Sequence, residues 1–178
     1  PEGFSKEEHL SPYEPFLCDD ESVKPLFSLR VEFADDLHDA NPGVVKDVMN
    51  DEAPYFWLFQ SGESRFSFGF SYTKNHPDCI LVPSEDYREN VVYIPKAYAS
   101  RLMEFSLSNA MMLLYTFNTS AYDTLMIHAS VIAFEGKGYV FLGKSGTGKS
   151  THSRLWLENI EGTWLLNDDN PVIRVVDG

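Results

Sequence analysis

The sequence predicts an α+β chain in two domains. An antiparallel-sheet front domain covers residues 1–120 and is closed by one helix; a mixed-sheet domain covers residues 121–178. Three features predict this. Aromatic residues alternate with small or polar ones through Phe66, Phe68, Phe70 and Tyr72, which is the period of a strand with one packed face. One long apolar pattern of helical spacing follows Pro95. The string Gly143-Lys144-Ser145-Gly146-Thr147-Gly148-Lys149-Ser150 lies between an apolar strand pattern and a helix pattern.

Residues 1–25 are polar, carry Pro12, Pro15 and Pro25 and an acidic cluster at Asp19-Asp20-Glu21, and read as an extended arm. Ser28 to Phe33 reads as a first strand, and residues 44–50 as a short helix after the Asn41-Pro42-Gly43 turn. Residues 55–60 and 65–73 read as two strands around the turn at 61–64. The aromatic row of the second is expected to face the core. Cys79 to Val82 and Val91 to Ile94 complete an antiparallel sheet. The helix, residues 96–118, carries Leu102, Met103, Phe105, Met111, Leu113, Leu114 and Phe117, and Arg101, Glu104 and Asn109 interrupt it too often for a membrane span.

From Leu125 the pattern changes. Met126 to Phe134 and Tyr139 to Leu142 read as the arms of a hairpin around Glu135-Gly136-Lys137-Gly138. The glycine-rich loop is therefore fed by the second arm of a hairpin, whereas doubly wound folds feed it from a parallel strand. A helix over residues 151–159 follows, with Leu155, Trp156 and Ile160 on one face. Strands at residues 164–167 and 172–176 end the chain. Four short strands and one helix cover a nucleotide-binding sheet poorly, so the domain is expected to continue beyond Gly178.

Composition narrows the function classes. The 178 residues are 43% hydrophobic and 14% aromatic, enough to bury a core. Residues 1–90 hold 7 Lys and Arg against 19 Asp and Glu, and this acidity repels nucleic acid. Cys18 and Cys79 form no metal or redox spacing, and no apolar run of 18 residues or secretory pattern occurs. A cytoplasmic protein without a membrane or nucleic-acid partner is expected. Nothing in the sequence sets the oligomeric state, so a homo-oligomer stays open.

The loop string fits G-x-x-x-x-G-K-[ST]. Glycines let the backbone N–H groups wrap a phosphate closely, and the helix that follows adds its N-terminal dipole. Lys149 offers a point charge to the β- and γ-phosphates, and Ser150 a hydroxyl to Mg²⁺. Asp168 and Asp169 follow Lys149 by 19 and 20 residues at the end of an apolar strand that is expected to neighbour the loop strand. Two such carboxylates beside phosphate make sense with a cation, one holding the metal and the other accepting a proton. His128, on the first arm of the hairpin, is expected to approach the same phosphates.

Together, His128-Ala129, the hairpin, the loop and Asn167-Asp168-Asp169 resemble the catalytic core shared by HPr serine kinase/phosphorylase and phosphoenolpyruvate carboxykinase. The resemblance covers residues 125–178. It implies that Gly143 to Gly148 (Gly143, Lys144, Ser145, Gly146, Thr147, Gly148) and Thr151 cradle the phosphates of ATP or another nucleoside triphosphate. It implies that Lys149 contacts the β/γ-phosphate, that Ser150 and Asp169 hold Mg²⁺, and that Asp168 is the base for an acceptor hydroxyl, with His128 beside the transferred group. The two aspartates are interchangeable in these roles. The activity implied is ATP-dependent phosphoryl transfer to a hydroxyl of a protein or small molecule. Carboxykinase-like transfer to an enolate and nucleotide binding without turnover are the other readings. The chain lacks the kinase/phosphorylase's further glycine-rich signature, and residues 1–120 resemble neither front domain.

Overall fold

The computed structural model describes residue 5 and residues 9–50 and 53–176, which fall into two compact units, residues 1–118 and 119–178. The first is built on six strands: β1 (Ser28–Ala34), β2 (Val44–Met49), β3 (Tyr55–Ser61), β4 (Arg65–Ser71), β5 (Cys79–Pro83) and β6 (Glu89–Pro95). Their order is β1-β6-β5-β4-β3-β2. Strands β2 to β6 form an antiparallel meander, but β1 runs parallel to β6, so this sheet is mixed rather than antiparallel. The meander uses both edges of every inner strand, and β1 docks on the one edge of β6 left free. Alternation within β1 marks a strand but carries no information about its partner's direction.

Helix α1 (Ala99–Thr119) covers one sheet face, after a 3-10 turn at Lys96–Tyr98. Met103, Leu107, Ala110 and Leu114 recur at helical spacing and pack with Phe68, Phe70, Cys79, Leu81, Val92 and Ile94. Phe66 joins this core and Tyr72 stacks at 4.3 Å on Phe105, so the aromatic row faces the helix, although Tyr72 itself stays exposed.

Two further readings of the first unit are corrected. Val44–Met49, within the helix expected over residues 44–50, form strand β2. Gly43 has φ +99°, and a Cβ there would sit 2.3 Å from the Gln60 carbonyl oxygen. The turn thus delivers Val44 directly opposite Gln60 on β3, where the β-branched Val44, Val45 and Val48 suit an edge strand. The arm is not wholly extended, because Ser11–Phe16 form a 3-10 turn; residues 1–4 and 6–8 of it lie outside the described residues.

The second unit holds β7 (Thr124–Met126), β8 (Ala129–Phe134), β9 (Lys137–Leu142), helix α2 (Lys149–Asn159), β10 (Trp164–Asp169) and β11 (Val172–Arg174). They form a three-stranded sheet, β10-β8-β9, and a two-stranded one, β11-β7. Every strand pair described here is antiparallel, which corrects the expected mixed sheet. The β8–β9 turn has two residues, Glu135 at φ 47° and Gly136 at φ 73°, the positive pair of a type I′ hairpin. The expected strand over residues 126–134 is broken at Ile127-His128. Met126 pairs with Val172 in one sheet, the Ile127 N–H donates to the Pro171 carbonyl at 3.1 Å, and Ala129 begins the other sheet.

Strand β10 pairs with β8, so the acidic strand does not neighbour the loop strand β9 as expected. The chain leaves β9, passes through α2 and crosses over β8 before returning. Helix α2 faces the sheet with His152, Ser153 and Trp156, not Leu155, which is 49% exposed. Trp156 lies 4.9 Å from Tyr139 and 5.6 Å from Phe141, His152 meets Phe141 edge-on at 4.6 Å, and Ser153 bonds Ser130 at 2.6 Å. Among the described residues no helix is long and apolar enough to cross a membrane.

Candidate functional site

The start of β8, the end of β9 and the end of β10 meet at one end of the three-stranded sheet: Ala129 pairs with both Leu142 and Asp169. His128 precedes Ala129, and Gly143 follows Leu142. Chain connectivity thus places histidine, loop and both aspartates together.

The loop owes its shape to particular glycines. A Cβ on Gly143 would stand 2.6 Å from Thr147 Oγ1. Gly148 caps α2 at φ 91°, a conformation side chains disfavour. Thr147 closes the turn from inside, its N–H and Oγ1 donating to the Lys144 carbonyl at 3.2 and 2.8 Å. The Lys149 ammonium reaches back into the loop and donates to the carbonyls of Gly143 (2.9 Å) and Lys144 (3.2 Å) and to His128 Nε2 (2.9 Å).

That last contact fixes the histidine tautomer. Nε2 accepts from an ammonium, so the ring proton sits on Nδ1, which donates to Asp169 Oδ1 at 3.1 Å. Asp169 Oδ2 accepts from Asn170 Nδ2 at 2.9 Å. Asp168 does something different: its Oδ1 accepts from Ser150 Oγ at 3.1 Å.

A bulge explains the division. The β10–β8 register shifts between Leu165 and Asn167, making Leu166 an extra residue. In an antiparallel pair opposite residues share a face, and Ser130 faces α2 through its bond to Ser153. Asp168 stands opposite Ser130 and so faces α2 and Ser150. Without the extra residue Asn167 would take that place. Asp169, opposite Ala129, would then face away, but its φ of 123° departs from strand geometry and its carboxylate reaches His128. Such a backbone costs a non-glycine residue about 1–3 kcal/mol and is held where surrounding contacts over-determine it.

A cavity of about 500 Å³ opens at this point, lined by His128, Ser145, Gly146, Lys149, Asp168 and Asp169, with Gly148, Ser150 and Thr151. Gly143, Lys144 and Thr147 do not line it. A Cβ on Gly146 (φ 77°) would meet no protein atom within 4 Å, which leaves room for a ligand to approach the backbone. The α2 N-terminus and Lys149 favour an anion there. The Ser150 hydroxyl and Asp168 carboxylate are hard oxygen donors suited to Mg²⁺. Among the described residues no group of three or more His, Cys, Asp or Glu could hold a metal by itself, so a cation here would draw further ligands from phosphate and water. The residues present therefore fit a nucleoside triphosphate with Mg²⁺.

Sequence reasoning missed Ser130, Ser153 and the Leu166 bulge. The first two are ordinary serines until strand and helix are placed against each other, and a bulge leaves no mark on apolar periodicity this short. No protein-family model, curated protein or solved structure significantly matches this chain.

Proposed function

We propose that the chain is an ATP- and Mg²⁺-dependent phosphotransferase that acts on a hydroxyl of a protein or small molecule. The observation that carries this reading is the bonded series Asp169–His128–Lys149, set beside the separate pair Asp168–Ser150. A phosphate loop alone holds a nucleotide; an oriented imidazole and a second carboxylate are what proton transfer adds. Mg²⁺ bound with the nucleotide would supply charge neutralisation on the phosphates.

The chain's own residues divide as follows. Lys149 exchanges the two loop carbonyls and His128 for phosphate oxygens. His128 Nε2, released from the ammonium, takes the acceptor hydroxyl's proton while Asp169 orients the ring and stabilises its charge. Asp168 and Ser150 would hold the cation. Of the two interchangeable aspartates, the metal role thus falls to Asp168, because the Ser150 contact belongs to it, and the base role falls to His128 rather than to either aspartate.

Calorimetry on the full chain tests it. Mg²⁺·ATP should bind, and Lys149→Ala should weaken binding about 100-fold through loss of charge-assisted hydrogen bonds. Asp169→Asn should retain binding and lose turnover of the γ-phosphoryl group. Absence of binding to the wild type, or full affinity in Lys149→Ala, would sink the reading.

A further inference from the structure

A second cavity, of about 590 Å³, lies entirely within the first unit, on the sheet side opposite the main core and extending to the start of α1. Trp57, Phe59 and Ile80 form its floor, with Leu102 and Tyr98 at one end. Trp57 and Phe59 lie nearly parallel, 6.4 Å apart and 20° inclined. The rim comes from two loops, one carrying Asp35, Asp36 and His38 and the other His76, Pro77 and Asp78.

The walls are built rather than incidental. Gly43 lets the first loop close onto β3, since a Cβ there would strike the Gln60 carbonyl. Gly69 does the same for the second, since a Cβ would stand 2.8 Å from Pro77 Cβ and 3.0 Å from Trp57 Cβ. Asp36 Oδ1 accepts from the His38 N–H at 2.8 Å, and Asp78 Oδ2 accepts from Ser71 Oγ and the Tyr72 N–H, both at 3.0 Å. Each carboxylate thus fixes its loop with one oxygen, and the other has no intramolecular partner among the described residues. Asp35 is held by Lys96 at 2.9 Å, and Arg101 lies 5.5 Å from the Tyr98 ring centroid, but neither cation lines the cavity, and Asp36 and Asp78 pair with none among the described residues.

An aromatic floor under the carboxylates of Asp36 and Asp78 is the chemistry that holds ammonium and guanidinium groups, by the ring quadrupole from below and by charge at the rim. Volume and apolar lining match small-molecule sites.

We propose that this cavity binds a small organic cation, an ammonium or guanidinium group on an apolar body. The site is independent of the phosphate loop and does not rest on the phosphotransferase reading.

Calorimetry with three probes of the same body and different charge tests it: tyramine (cation), tyrosol (neutral) and 3-(4-hydroxyphenyl)propionate (anion). Tyramine should bind at least about tenfold more tightly than tyrosol, as desolvated cation–π and carboxylate contacts allow, and the anion should not bind measurably. Asp36→Asn/Asp78→Asn keeps a side-chain oxygen for each loop bond and removes only the charge, so it should leave the thermal transition in place and abolish tyramine's advantage. No binding of tyramine at about 10 mM, equal binding of tyramine and tyrosol, or undiminished tyramine binding by the double variant would each overturn the proposal; 10 mM corresponds to under about 3 kcal/mol.

Discussion

The two units hold their strands by different means. In the first, β4 is buried on both faces from Ser67 to Ser71, and β5 is buried throughout. In the second, β10, which carries both aspartates, is exposed at every position, including Trp164, Leu165 and Leu166. Its place is set by its ladder to β8 and by a few side-chain bonds: Ser150 to Asp168, His128 to Asp169, and Ser130 to Ser153 beneath them. The first unit is fixed by packing, which tolerates no lost volume. The second is fixed at its site by hydrogen bonds, which tolerate no lost partner.

The largest test of that contrast sets one side chain from each region against the other. Phe70 is fully buried and meets Phe56 edge to face at 5.4 Å. Phe70→Ala should destabilise the first unit by about 3–5 kcal/mol, transfer and cavity terms together. Leu166 is 53% exposed although it sits in a strand, and Leu166→Ala should stay within about 0.5 kcal/mol. Urea unfolding followed by circular dichroism gives both values. Equal losses would mean that β10 packs against something in solution, and the contrast would fail.

The next effect is smaller and specific to the second unit. Ser130 is fully buried and Ser153 is 2% exposed, so removing one hydroxyl strands the other. Ser153→Ala should cost about 1–3 kcal/mol, whereas the double variant Ser130→Ala/Ser153→Ala, with both polar groups gone, should recover most of it. Ser153 lies one turn after Ser150, and Ser130 stands opposite Asp168, so the single variant should also weaken Mg²⁺·ATP binding. A cycle in which the single costs simply add would show that the two hydroxyls do not act as a pair.

What the sequence made legible follows the same division. Strands with a packed face announce themselves, and so β1, β3, β4, β5, β6 and α1 lie close to where periodicity puts them. Residues 44–50 do not read as a strand because a solvent-facing edge strand lacks the alternation that packing imposes; Gly43, which decides the matter, reads only as a turn. For the site, the loop and the two aspartates are legible as residue types at fixed spacing. Their pairing is not. Which carboxylate meets Ser150 depends on one extra residue at Leu166, and which strand lies beside β9 depends on the crossover of α2. Both are settled by contacts between segments, and composition contains neither. The cavity floored by Trp57 and Phe59 was invisible for a related reason: on β3 these residues read as core, and only the loops that Gly43 and Gly69 admit turn them into a floor.

The smallest effect isolates the first unit chemically. Its core holds a thiol, Cys79, and burial pushes that group up from 9.0 to about 12, whereas Cys18 is exposed and the second unit has no cysteine. The unfolded thiol ionises from about pH 9 while the native one stays neutral, so unfolding releases a proton across this interval. The stabilisation is complete below pH 9 and is lost as pH rises toward 12. At pH 10 the loss should be about 1 kcal/mol, present in the wild type and absent in Cys79→Ala after correction for that variant's own offset. Alkylation adds the kinetic form of the same statement: Cys18 should react at once, and Cys79 only as fast as the first unit opens. An identical alkaline slope with and without Cys79 would assign it to other groups, and immediate alkylation of Cys79 would show that packing does not close this core as the contrast between the units requires.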